Sequence, residues 1–142
     1  MTKFMHMILG LVAASVAVPA WADMVNMTAA LAPGNEVPPV QSSGSGAATI
    51  RLDTASHQMS WEVQVQNLTA PMTAAHFHGP ATSAQNGPVV IPIAKAGDQS
   101  PFKGSVTLTP DQMTDVLNGH YYVNVHTPTY PPGELRGQVV KQ

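Results

Sequence analysis

An antiparallel all-β domain, a sandwich or barrel with one short helix, is the fold class that this sequence predicts. Short stretches in which apolar and polar residues alternate recur along the chain, most cleanly where Met59, Trp61, Val63 and Val65 interleave with Ser60, Glu62, Gln64 and Gln66. Clusters of turn-forming residues separate them, among them Pro33-Gly34-Asn35, Pro38-Pro39 and Ser42 to Gly46. The composition agrees: charged residues make up only 10%, while Gly (11) and Pro (13) are plentiful, which suits short strands joined by polar turns.

The chain opens on a processing signal. Met1-Thr2-Lys3 is a cationic start, Ile8 to Val18 is a short apolar run, and Ala20-Trp21-Ala22 places small residues where a signal peptidase reads them. Residues 1–22 are therefore expected to be a signal peptide cleaved before Asp23, with 23–142 a single domain in the periplasm or outside the cell. A spanning helix needs about 20 apolar residues, so no membrane anchor is expected.

The strands follow in order. In Val25–Leu31, Val25, Met27, Ala29 and Leu31 alternate, and Met24 and Met27 read as ordinary core methionines. Ala48, Ile50 and Leu52 share a face in Ala47–Asp53, and Met59–Gln66 is the cleanest amphipathic strand, with Trp61 as a core aromatic. Thr73–His78 ends at Gly79-Pro80, and 81–88 is loop. Val89–Ala94 contains Pro92, the mark of an edge or a bulge. After Phe102–Leu108, Thr109-Pro110-Asp111-Gln112 starts a helix over Pro110–Leu117, with Thr as N-cap, Pro in the first turn and Gln at the third position; Asn118-Gly119 stops it. His120–His126 and Leu135–Val140 complete seven or eight strands.

Several functions are excluded early. Cysteine is absent, so disulfides and thiolate metal sites are ruled out, blue-copper centres among them. The basic residues beyond the signal (Arg51, Lys95, Lys103, Arg136, Lys141) form no cluster and the net charge is −2, which disfavours nucleic acid and anionic membranes as partners. No serine sits in a nucleophile elbow and no glycine-rich loop precedes a helix, so no catalytic constellation is legible.

Four motifs in order carry a family resemblance. They are Leu31 to Val40 with Gly34, Glu36 and Pro38-Pro39; Ala75-His76-Phe77-His78-Gly79-Pro80-Ala81; Gly119 followed by Tyr122-Val123-Asn124-Val125-His126-Thr127; and Pro132-Gly133-Glu134-Leu135-Arg136-Gly137-Gln138. Over about residues 26 to 140 the chain resembles the CHRD domain of animal chordin and of many exported microbial proteins. The resemblance implies an exported, immunoglobulin-like or barrel-like all-β domain and says little about activity. Chordin's several copies and cysteine-rich modules are missing, so a growth-factor-antagonist role does not carry over.

Among the histidines, His57 lies in a polar turn and reads as solvated. Alternation puts His76 and His78 on one strand face and Phe77 on the other, roughly 6.6 Å apart along the strand. In the later strand, His120, Tyr122, Asn124 and His126 share one parity, and Tyr121, Val123 and Val125 take the core-facing one. If the two strands are neighbours, His76, His78 and His126 converge on a workable three-nitrogen site. Imidazole ligation without thiolate suits copper, zinc or nickel in the divalent state, and copper binds tightest in that series.

The set is similar to the copper site of Cu,Zn superoxide dismutases, Greek-key β-barrels with a His-x-His strand and a later strand His. That resemblance implies copper held by His76, His78 and His126, with His120 a fourth candidate, and copper-dependent redox chemistry at most; zinc is the alternative that the imidazole set itself allows. No zinc loop, cysteine pair or bridging histidine segment is present, so full dismutase activity does not carry over. The competing expectation is metal-free: His76 and His78 hold the 81–88 loop, His126 caps the turn before Pro128, and the domain is a structural or protein-interaction module. Glu134 and Arg136 flank Leu135 on one face and read as an ion pair or turn anchor, or Arg136 steers small anions to a metal.

Overall fold

The computed structural model describes residues 23–142; the expected signal peptide lies outside the described residues. Among the described residues, nine antiparallel strands form two sheets packed face to face, an open sandwich rather than a closed barrel. One sheet has the order β6-β3-β2-β1-β9, built from β6 (Phe102–Thr107), β3 (Gln58–Gln66), β2 (Ser45–Asp53), β1 (Met24–Leu31) and β9 (Val140–Lys141). The other has the order β5-β4-β7-β8, built from β5 (Val89–Lys95), β4 (Ala74–His78), β7 (Tyr122–His126) and β8 (Leu135–Gln138).

The alternating residues meet between the sheets. Met27, Ile50, Leu52, Met59 and Val63 face Ala75, Phe77, Val123, Val125 and Leu135, all removed from solvent. Trp61 meets Phe77 edge to face at 5.2 Å between ring centroids, which favours the positive ring edge on the negative ring face. Burying this apolar surface is the main driving force.

The helix α1 (Pro110–Leu117) forms where its start and stop residues place it. Thr109 Oγ1 accepts from Gln112 N at 3.2 Å, and Thr109 N donates back to Gln112 Oε1 at 2.9 Å. A short 3-10 turn at Pro33–Asn35 adds helical backbone that the sequence reading did not expect.

Two further expectations need correction. Met24 and Met27 are three residues apart on a strand and so lie on opposite faces: Met27 is core, whereas Met24 is 52% exposed. The last run is not one strand but two. The N–H of Val139 still donates to Tyr121 O beside β7 and its side chain is buried; from Val140 the chain pairs with β1 instead, opposite Thr28.

For the site, the pairing of β4 matters most. It is central in its sheet, with β7 on one side and β5 on the other. Register places His76 opposite Asn124, His78 opposite Tyr122 and Ala74 opposite His126. On the other side β5 is an edge strand, and its pairing shifts register between Ala75 and His76 and again between Phe77 and His78. Pro92, which has no N–H to give, sits opposite His76 in this irregular stretch.

Candidate metal centre

Phe77 drives the geometry. Its ring goes into the core, so His76 and His78 must leave β4 on the outer face of the sheet. Val123 and Val125 do the same for β7, sending Tyr122, Asn124 and His126 outward. Two connections cover that face: Gly79–Pro88 after β4 and Thr127–Glu134 after β7. Residues of an outer sheet face thereby become buried.

The structure brings His76, His78 and His126 together. Their ring centroids are 5.1 Å (His76 and His126), 5.6 Å (His76 and His78) and 5.9 Å (His78 and His126) apart. One ring nitrogen from each lies within 4.8 Å of the other two. His120 is not in this group. It precedes β7, its N–H donates to Asp115 O at 2.9 Å, and its Nδ1 lies 3.8 Å from Asp115 Oδ1 at the end of α1.

The outward nitrogens are fixed by backbone. His78 Nδ1 lies 2.9 Å from Gly87 O, and His126 Nδ1 lies 2.9 Å from Pro131 O. A carbonyl only accepts, so each Nδ1 carries the proton and donates it, and each Nε2 presents its lone pair to the cluster. The buried Nε2 of His78 has no partner among the described residues. His126 Nε2 lies 3.3 Å from His76 Nδ1, the separation of about 3.3 Å that two bonds of about 2.0–2.1 Å subtend in a tetrahedral site. The loop-holding role expected of His78 is therefore real, and it is also the arrangement that orients a metal-ligating histidine.

Burial pushes the His76 and His78 imidazoles below their ordinary value of 6.5, and the nearby His126 pushes both the same way. Neutral imidazole is the ligating form, so these two rings meet a cation near neutrality without first losing a proton. His78 stacks on Tyr122 with centroids 4.9 Å apart.

Arg136 is a loop anchor. It is 1% exposed, lies 3.7 Å over the Tyr122 ring, and donates to Thr82 O (2.9 Å), Gln85 O (2.7 Å) and Asn86 Oδ1 (2.9 Å). Those bonds hold the Gly79–Pro88 loop over the cluster and direct three of the five guanidinium N–H groups to it rather than to the histidines. Nor does it pair with Glu134, whose carboxylate accepts from Ser42 Oγ, Thr69 N, Thr69 Oγ1 and Thr127 Oγ1. Burial alone would raise the Glu134 carboxyl; these donors outweigh it and hold it below the ordinary range.

Sequence reasoning missed Glu36 as a site residue. Its Oε1 accepts from Asn124 Nδ2 at 2.5 Å, 88 positions along the chain, and burial pushes its carboxyl up to about 7 despite that bond and the charge of Arg136. The signal was weak: Glu36 sits in an irregular Pro-rich stretch, and only the parity of Asn124 with His126 marked that side chain as facing the same side.

Two glycines are required by contact or backbone. A Cβ on Gly79 would lie 2.5 Å from Tyr121 Cδ1 and 2.8 Å from His120 O. Gly133, with φ +147°, packs so closely that a Cβ would lie 2.5 Å from Asn124 Nδ2 and 2.6 Å from Glu36 Oε1. Both belong to the motifs on which the resemblance rested.

Comparison with curated proteins and with solved structures finds no match. A family model, the CHRD domain, matches residues 27–139, which hold all nine strands but the first three residues of β1 and the short β9. The three-histidine cluster, its backbone supports and both constrained glycines fall inside that span, and the chain belongs to the CHRD domain family.

Proposed function

We propose that this CHRD domain is an exported metal-binding module in which His76, His78 and His126 hold one copper ion. The observation that carries the reading is the division of labour within the imidazoles. The Nδ1 atoms of His78 and His126 are committed to Gly87 O and Pro131 O, and the remaining nitrogens converge, with His78 Nε2 buried and unpartnered. A buried acceptor without a donor costs about 1–3 kcal/mol, a cost that a bound cation removes. A metal-free role accounts for the two Nδ1 bonds, and a His76–His126 hydrogen bond for two of the converging nitrogens, but it leaves His78 Nε2 buried and unpartnered beside them.

Copper is preferred over zinc because an all-nitrogen set without thiolate follows the order of increasing affinity that peaks at Cu(II). Three protein ligands leave a further position open to water or another small ligand, so the site suits sequestration, transfer or modest redox chemistry. Export rests on the segment ahead of Asp23; N-terminal sequencing of the protein from its native cell is expected to begin at Asp23.

The test is titration of Cu(II) into metal-free protein, read by EPR and calorimetry. One equivalent is expected to bind with nitrogen hyperfine structure, and a His76→Ala/His78→Ala variant is expected to lose it. Absence of stoichiometric binding, or binding unchanged in that variant, overturns the reading. A His120→Ala variant is expected to bind as the wild type does, because His120 lies with Asp115.

A further inference from the structure

A cavity of about 420 Å³ opens beside His78, within the range of roughly 300–1,000 Å³ typical of small-molecule sites. Glu36, Asn124 and Tyr122 form its polar wall, and Val37, Val40 and Pro131 are among its apolar lining. The polar groups are unevenly used. Asn124 Nδ2 gives its two N–H groups to Glu36 Oε1 (2.5 Å) and Leu135 O (3.0 Å). Tyr122 donates its hydroxyl to Gly87 O, Tyr130 to Gln41 O, and His78 Nδ1 to the same Gly87 O. What the wall retains are acceptors: the second oxygen of Glu36 and Oδ1 of Asn124, which have no donor among the described residues.

Glu36 also lacks a cation. It is only 7% exposed, yet it forms no ion pair; among the described residues Lys103 pairs with Glu62, and the His120–Asp115 contact lies elsewhere. Arg136 acts on it through space but directs its N–H groups to the Gly79–Pro88 loop. A buried carboxylate without a countercharge is costly, and the cost is removed when a cation with donors reaches it.

We propose that this cavity binds a small primary ammonium, an alkyl or aryl amine that donates to Glu36 and Asn124 and lays its apolar body against Val37, Val40 and Pro131. A carboxylate of the same size is excluded by charge, and an alcohol supplies a single donor and no countercharge. The site shares the His78 wall with the metal centre but uses none of the three ligating nitrogens, so it stands whether or not a metal binds.

The test uses metal-free protein labelled with nitrogen-15 and titrated at pH 7.5 with benzylamine, benzyl alcohol or benzoate. Benzylamine is expected to shift the Val37, Gly87 and Gly133 amides saturably. Its affinity is expected to fall at least tenfold in Glu36→Gln, which keeps an oxygen for Asn124 but removes the charge. Benzoate is expected to leave those amides unmoved. Val40→Trp, which fills the cavity and leaves the carboxyl, is the second variant and is expected to abolish the shifts while the rest of the spectrum stays dispersed. No saturable shift with benzylamine, equal shifts with benzoate, or wild-type affinity in either folded variant overturns the proposal.

Discussion

Burial moves Glu36 and the β4 histidines in opposite directions, because it disfavours the charged form of each. The Glu36 carboxyl rises from 4.5 to about 7, so between these values the folded state holds a proton that the unfolded chain has released. The folded state binds more protons there, and stability falls as pH rises through that window. His76 and His78 are lowered from 6.5, so just below that value the unfolded chain takes up protons that the fold refuses, and stability falls as pH drops. The two effects can be separated by substitution. Glu36→Gln keeps the acceptor for Asn124 and cannot ionise, so its stability relative to the wild type is expected to grow from pH 4.5 to pH 8. Denaturant unfolding at pH 4.5, 6 and 8 measures this; a difference that does not change with pH removes Glu36 from the account.

At the scale of elements, the Gly79–Pro88 loop is what turns an open sheet face into a site. Tyr122 supports it twice, accepting from Gly87 N at 3.0 Å and donating to Gly87 O at 3.3 Å, the carbonyl that also orients His78. Tyr122→Phe is therefore expected to cost about 1 kcal/mol of stability and to weaken Cu(II) binding by about 10-fold, in line with loss of support around a ligating histidine. Thr109→Ala is the control. It breaks the capping pair of α1, a helix that contributes nothing to the cluster, and is expected to cost about 1 kcal/mol with Cu(II) affinity unchanged. Calorimetric titration and denaturant unfolding of both variants separate support of the site from general destabilisation; equal effects on binding would show that the loop does not position His78.

Across the whole molecule, what could be read from the sequence was local and periodic. Alternation placed Phe77, Val123 and Val125 inward, and with it predicted that His76, His78 and His126 share the opposite face; Pro92 marked β5 as an irregular edge; Thr109 and Gln112 marked the start of α1. What could not be read depends on contacts far apart in sequence. Nothing around Val139 signals a change of sheet, because an alternating run looks the same whether one partner strand accompanies it or two. Glu36 acquires its character only from Asn124, and His120 departs from the other histidines only because its N–H closes onto α1.

This division leads to a prediction for the fold as a unit. The core between the sheets is closed by Met27, Ile50, Trp61, Phe77 and Val125 and does not include the histidine cluster, which lies outside the four-stranded sheet. The metal-free domain is therefore expected to be folded and to unfold in a single transition, unlike small domains whose folding energy is metal binding. An ion held only by the folded state contributes about 2.7 kcal/mol at 100 times its dissociation constant, so Cu(II) at that concentration is expected to raise the Tm by roughly 8–15 °C for a domain of this size. Differential scanning calorimetry with Cu(II), then with excess EDTA, checks both parts. The rise is expected to reverse with EDTA and to be absent in His76→Ala/His78→Ala. A metal-free protein that is already unfolded would mean that the cluster holds the sandwich together; a folded one whose Tm ignores Cu(II) would mean that the histidines only hold the loops.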